Sequence, residues 1–362
     1  MHRTPTSPSA PLRGHGALSN PPGRFERRTV EAVDDGWYRD EVPESVPTTL
    51  EPDRARAVIS RNDSPDVPFE QSINPYRGCA HACPYCYARP SHAYLGLSPG
   101  LDFETRLYYK ADAARVLEGE LAGAGYVCRP IMLGANTDPY QPVERRQRVT
   151  REVREVLART RHPVSIVTKS ALVLRDLDLL APMAAAGLAS VAVSITTLDA
   201  ELKRRMEPLA AAPAARLKTV ATLRAAGVPC GVLVAPVIPA LTDHEVESIL
   251  AAAAAAGAGW AGYVLLRLPH EVASVFAEWL EAHYPQRAAH VMSLVRQQRG
   301  GRDNDPRFGT RMRGSGPFAE LLATRFRLAC ERLGLARERG TPLDTSRFTP
   351  PARAGAQLAL GL

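Results

Sequence analysis

Lysine is nearly missing from this chain: 4 of 362 residues, against 41 arginines. Positive charge therefore sits on guanidinium groups, and a lysine at a special position carries information. Long apolar runs are missing too. The longest, such as Ile249 to Gly259, are alanine-rich and far short of the ~20 residues that cross a bilayer, and no apolar signal core follows the first basic residues. Nor is there a disulfide framework: Cys128, Cys230 and Cys330 stand alone, and the other three cysteines crowd into one stretch that would leave an odd thiol. These absences exclude a membrane span and a disulfide-stapled secreted module, and a soluble cytoplasmic protein is expected.

Hydrophobic residues make up 45% of the sequence, enough at this length for one large core or two ordinary ones. The net charge of +7 is unevenly placed. From Pro285 to Leu362 there are 14 arginines and 6 acidic residues, so this tail carries +8 and the remainder about −1. A cationic surface of this kind tracks phosphates. The plainer reading is that arginine is this chain's default surface cation.

The stretch Asn74-Pro75-Tyr76-Arg77-Gly78-Cys79-Ala80-His81-Ala82-Cys83-Pro84-Tyr85-Cys86-Tyr87 puts three thiols within eight residues. Thiolates so placed select a soft metal or an iron–sulfur cluster. A structural zinc ion needs four ligands, with His81 or His92 as the fourth here. Three ligands on a four-iron cluster instead leave one iron open.

Residues 1–60 are rich in Pro, Ser, Arg and acidic residues without an apolar period, and read as a disordered or loosely docked arm. From Ala111 the pattern alternates. Helical periods at about 111–124, 150–161, 172–186, 213–226, 243–256 and 271–283 are separated by β-rich runs at 131–133, 164–168, 191–195, 232–234 and 263–266. With a first strand just before Cys79, that makes six strands with intervening helices: an α/β fold, a parallel sheet with right-handed crossovers, two units short of the closed eightfold barrel. The expected division is an arm over 1–60, a partial (β/α)6 TIM-like barrel over 61–284, and a basic, Arg-rich C-terminal extension with one helix over 285–362. In such folds chemistry sits beyond the carboxyl ends of the strands.

The spacing Cys-x3-Cys-x2-Cys, with Tyr85 before the third cysteine, resembles the cluster loop of the radical S-adenosylmethionine (SAM) superfamily, and the chain is similar to its spore photoproduct lyase-like branch over about residues 70–270. The resemblance implies a [4Fe-4S] cluster on Cys79, Cys83 and Cys86, with SAM chelating the open iron through its amino and carboxylate groups. It implies reductive cleavage of SAM to a 5′-deoxyadenosyl radical that takes a hydrogen atom from a substrate, here unidentified. A reducing compartment suits such a cluster, and an electron donor such as a flavodoxin or ferredoxin is a further implied partner.

Strand ends supply the other candidates. After the second strand, Gly134 to Pro142 breaks from apolar into small and polar groups, and Asn136 and Thr137 look like the family's segment that meets the SAM amino group. A plain Asn/Asp-Pro turn is the alternative. Lys169, after the third strand, resembles the carboxylate-binding lysine of the branch; a solvent-facing lysine at a helix start is the bland reading. Ser194 closes the fourth strand, where the family places a serine for the ribose, although a buried serine bonded to backbone reads the same way. Tyr85 and Tyr87, on either side of Cys86, complete the cofactor-facing set, and Val234 to Pro239 forms an apolar wall. Glu207-Pro208 and Arg216 look like the branch's helical link. One departure stands out: spore photoproduct lyase carries a hydrogen-donating cysteine at the end of its second strand, and this sequence has Asn136 and Thr137 there, with Cys128 before the strand.

The segment from Arg299 to Pro317 alternates glycine and arginine, a flexible cationic loop with Phe308 as a stacking surface, followed by an amphipathic helix over 318–334. Nucleic acid is the partner this segment suggests. The extension is expected to cap the open barrel and line its entrance, with a solvated linker as the alternative. Two other functions fit the same residues: a zinc-stabilised nucleic-acid-binding protein without catalysis, and a degenerate scaffold keeping the cluster as an electron relay.

Overall fold

The computed structural model describes residues 11–26, 46–337 and 342–352; the rest of the expected arm and the last residues of the extension lie outside them. Among the described residues ten strands appear: β1 (Thr49–Pro52), β2 (Ile59–Arg61), β3 (Gln71–Ile73), β4 (Tyr76–Arg77), β5 (Arg106–Tyr109), β6 (Ile131–Leu133), β7 (Val164–Thr168), β8 (Ala189–Ser194), β9 (Cys230–Val237) and β10 (Trp260–Leu265). The main sheet has the order β10-β9-β8-β7-β6-β3-β2. Its six strands β3 and β6 to β10 run parallel, and β2 adds an antiparallel margin. These six are the strands that the β-rich runs predict. β2 and β10 are the two margins, so the sheet is an open, partial barrel. A smaller sheet pairs β1, β5 and β4.

The central strands are mostly apolar, with small hydroxyl residues between, because both faces are covered. β8, Ala-Ser-Val-Ala-Val-Ser, is buried at every position, as a parallel strand between layers must be. Helices Ala113–Leu121, Val149–Arg159, Leu177–Ala185, Pro213–Ala225, Val246–Ala255 and Val272–His283 return the chain between strands and lie within the predicted helical periods to within a residue. Ile131, Leu133, Ile166, Val191, Val193, Val232 and Val234 join the inner faces of these helices in one core. The short helix Ala200–Met206 falls in the helical link expected around Glu207-Pro208; Asp199 caps it through the amides of Glu201 and Leu202.

The C-terminal extension differs from expectation. Its described residues hold two helices, Pro285–Gln297 and Pro317–Leu333. The first has a helix-opening proline and buries Ala288, Val291, Met292 and Val295, an apolar spacing that its neighbouring arginines obscure. The second packs on the outside of the barrel, where Arg325 pairs with Glu247 at 2.7 Å, and so does not cap it. The loop between them is pinned: buried Arg299 donates to the carbonyls of Thr310, Arg311, Leu265 and Leu266. Arg311 then reaches across to Asp66 and Ser64 in the β2–β3 hairpin, bridging the two open margins of the sheet.

Residues 11–26 are docked. Ala17 and Leu18 are buried, and the amides of Gly16 and Ala17 donate to Glu104 at 3.2 and 2.8 Å. Ser19 donates to Glu278 at 2.6 Å and Arg24 pairs with Glu271 at 3.2 Å. The segment thus runs from the cysteine loop to the helix that follows β10.

Candidate active site

β3 delivers the chain to the cysteine loop at the carboxyl end of the sheet. The loop is held from below. Gln141 accepts from the Ala80 amide at 2.8 Å and donates to the Gly78 carbonyl at 3.1 Å, while fully buried Arg89 donates to the Cys83 carbonyl at 2.8 Å and pairs with Glu104. Cys79 and Cys83 are buried and Cys86 partly so. Cys86 packs against both the Cys79 and the Cys83 clusters, so the three thiols form one group.

Burial, then neighbouring Asp138, hold the Cys79 thiol well above its usual pKa. Burial and Glu207 push Cys83 up to about 12, and burial raises Cys86. Such thiols ionise only when a bound metal supplies compensating charge. Among the described residues no three His, Cys, Asp or Glu side chains converge as on a single ion. A multi-iron cluster does not ask for that convergence, since each thiolate takes a different iron. The histidines do not complete a zinc set either: His81 Nδ1 faces Asp138 at 3.4 Å, and His92 Nε2 faces the Arg106 carbonyl at 3.0 Å. The donor set suits a three-thiolate cluster.

Lys169 leaves the end of β7 and stretches under the loop. Its ammonium donates to Ser194 Oγ at 2.8 Å and the Ala235 carbonyl at 3.2 Å, stands 6.0 Å from the centre of the Tyr85 ring, and favours the thiolates of Cys83 and Cys86. Below it lies a network legible only in three dimensions. Glu207 is fully buried, accepts from Thr196 at 2.7 Å and from the Tyr85 hydroxyl, and pairs with buried Arg216. Burial opposes its charge, but Arg216 and Lys169 outweigh that and hold the carboxyl down at about 2. Arg216 also donates to the Ser194 carbonyl at 2.9 Å, tying β8's end to the same carboxylate.

The segment after β6 turns at Gly134, whose φ of +92° and position leave no room for a side chain: a Cβ would stand 2.2 Å from the Val167 carbonyl oxygen. Beyond it Asn136 is exposed, its amide donating to Asn74 at 2.9 Å, while Thr137 is buried and its hydroxyl donates to the Tyr76 carbonyl at 3.1 Å. Asp138 is the residue the sequence did not single out. It accepts from the Lys169 amide and the Thr168 hydroxyl, both at 2.7 Å, and faces His81, so it joins the cysteine loop to the third strand's end. Tyr87 is half-exposed, its hydroxyl donating to the Ala135 carbonyl. The structure thus brings the three cysteines, Tyr85, Lys169 and Ser194 together, sets Asn136 and Thr137 on the adjoining loop, and has Tyr87, at the end of the cysteine loop, touch that loop at Ala135. Two surface cavities, lined by Ile59, Glu120 and Tyr126 and by Asn62, Phe69 and Arg129, lie toward the amino ends of the strands, away from this constellation.

Comparison with known proteins agrees with this geometry. Residues 73–253 match the family model of the radical SAM superfamily. An uncharacterized protein of Mycobacterium tuberculosis is 41% identical over 233 residues, covering 64% of this chain and 68% of that protein. Another, from Methanocaldococcus jannaschii, is 28% identical over 173 residues, covering 48% and 62%. In fold the chain is similar to spore photoproduct lyase, with a TM-score of 0.56 at 18% identity over 80% of this chain and 81% of that one. A form of that lyase with bound AdoMet and dinucleoside spore photoproduct gives 0.55 at 18% over 81% and 82%. With its three-cysteine loop at the carboxyl ends of an open parallel barrel, the chain belongs to the radical SAM superfamily, whose members are enzymes that use a [4Fe-4S] cluster and S-adenosylmethionine.

Proposed function

We propose that Cys79, Cys83 and Cys86 hold the cluster, and that this chain begins hydrogen-atom abstraction from a substrate bound over the strand ends. Bound there, cluster and SAM supply reductive cleavage of the sulfonium and a hydrogen-abstracting carbon radical. The observation that carries the reading is the Lys169 ammonium, held beside Cys83 and Cys86 by neutral oxygens of Ser194 and Ala235. Its charge faces the place where an amino-acid carboxylate would lie. Ser194 would turn its hydroxyl to the ribose, Asn136 and Thr137 would present the loop that meets the amino group, and Tyr85, anchored on Glu207, would wall the chamber together with Tyr87. The Glu207–Arg216 pair fixes these groups in place so that little reorganises on binding.

Nucleic acid is the proposed substrate class, supported by the cationic extension that borders the chamber, and a flavodoxin or ferredoxin the proposed electron donor. Anaerobic reconstitution tests the core of this reading. About four irons and four sulfides per chain and dithionite-dependent cleavage of SAM are expected. Zinc without sulfide in anaerobically purified protein, or iron and sulfide without SAM cleavage, would reject it.

A further inference from the structure

The last parallel strand leads into a charged side chain that has no ion-pair partner among the described residues. Arg267 follows β10 at the carboxyl end of the sheet. Its guanidinium stands over the Tyr87 ring, 5.7 Å from the centroid, and Nη1 reaches only the Met312 thioether at 3.3 Å. Nε is buried without a hydrogen-bond partner among the described residues. The nearby carboxylate, Asp66, is already taken by Arg311. A half-buried guanidinium without a carboxylate partner opposes folding, so a fold that keeps one in a chamber leaves a position for an anion.

The neighbourhood narrows the anion's chemistry. Tyr87 as a residue is 48% exposed beside Arg267, and one residue before Met312 the Arg311 guanidinium lies 4.7 Å from the ring centre of Phe308, a residue 59% exposed. Guanidinium and open aromatic face thus occur in pairs along this rim. The fork of an arginine matches the tetrahedral oxygens of phosphate, and open rings take flat groups such as bases.

We propose that Arg267 is the docking point for a phosphate oxyanion of the substrate, with the open faces of Tyr87 and Phe308 receiving the flat groups attached to it. This rests on reading the strand ends as the reaction chamber. The phosphate has two sources of the same chemistry, a phosphodiester of single-stranded nucleic acid or a small phosphate ester.

The test uses full-length, cluster-loaded protein with SAM, kept anaerobic. Thermal unfolding is followed with inorganic phosphate, with thymidine 5′-monophosphate, and with short oligothymidylates carrying either phosphodiester or uncharged methylphosphonate linkages. The phosphodiester strand is expected to raise the Tm of the wild type and the methylphosphonate strand to leave it unchanged. Arg267→Gln should melt no lower than wild type without a probe and bind the phosphodiester strand at least about tenfold more weakly. Arg267→Lys should recover part of the loss, and Arg302→Gln, on the exposed loop, none should be lost. Stabilisation by the monophosphate as strong as by the strand assigns the site to a small phosphate ester; stabilisation by the strand alone assigns it to nucleic acid. Equal stabilisation of wild type and Arg267→Gln, or none of either, overturns the proposal. So does a matching fall in SAM affinity, which would put the guanidinium on the SAM carboxylate. Dithionite-driven SAM cleavage on the same preparation checks the underlying reading separately: its absence, with Arg267-dependent stabilisation intact, removes the radical reaction and leaves the anion site standing.

Discussion

The Lys169 ammonium lies 2.8 Å from Ser194 Oγ, whereas the carboxylate it faces, Glu207 Oε1, is 3.8 Å away. Its two hydrogen bonds go to neutral oxygens, and the carboxylate within ion-pair distance is already paired with Arg216. Lys169→Ala should weaken SAM binding by about tenfold or more, the worth of one charge-assisted hydrogen bond, while iron and sulfide content stay at the wild-type level. SAM-induced change in the cluster's EPR signal measures the affinity; a variant that binds SAM as well as the wild type would remove Lys169 from the carboxylate.

Cys79→Ala, Cys83→Ala and Cys86→Ala should each fail to retain a full cluster after anaerobic reconstitution. Cys128→Ser should retain it, since Cys128 precedes β6 at the far end of the sheet. Iron and sulfide analysis reads the difference, and loss of iron from Cys128→Ser alone would contradict the assignment.

Glu207→Gln leaves Arg216 buried without its counter-charge. A cost of about 3–5 kcal/mol follows, seen as a large drop in Tm. The acid side follows from linkage. The Glu207 carboxyl is held at about 2 against a usual 4.5, so its stabilisation is present above pH 4.5 and is lost as pH falls from there toward 2. Urea titrations across that window should show wild-type stability falling with a slope that Glu207→Gln lacks.

His162 reports from the other end of the sheet. Burial lowers its pKa from 6.5 to about 4, with Nδ1 donating to the Pro163 carbonyl at 3.0 Å and the ring set against Phe348. The imidazole stays neutral in the fold but takes a proton in the unfolded chain. Stability is therefore undiminished above pH 6.5 and falls as pH drops toward 4, by about 3 kcal/mol in order of magnitude. His162→Phe should flatten the profile in that window; an unchanged slope would place the titration elsewhere.

The repeating fold was legible because parallel strands covered on both faces leave apolar runs such as Val232 to Ala235, and the helices between them keep a clean period. The thiols were legible by spacing, and Lys169 by scarcity. What escaped depends on partners distant in sequence: Tyr85 and Glu207 meet across 122 residues, and Arg311 and Asp66 across 245. Asp138 was hidden in what reads as an ordinary Asp-Pro turn, and its importance comes from the Lys169 backbone amide, which no residue type announces. The N-terminal segment was unreadable for a related reason. Its composition lacks an apolar period, and its docking runs through the main-chain amides of Gly16 and Ala17.

That docking sets a condition on how the protein is handled. A Cβ on residue 16 would stand 1.9 Å from the Ala82 carbonyl oxygen, so the backbone of the leading segment lies flush on the turn between Cys79 and Cys83. The Glu104 carboxylate that grips it also anchors Arg89 beneath Cys83. Trimming the chain to begin at the first sheet would strip a shield from that turn and take from Glu104 its contacts with His15, Gly16 and Ala17, so a shortened protein, reconstituted with a cluster, should lose it to air sooner than the longer one.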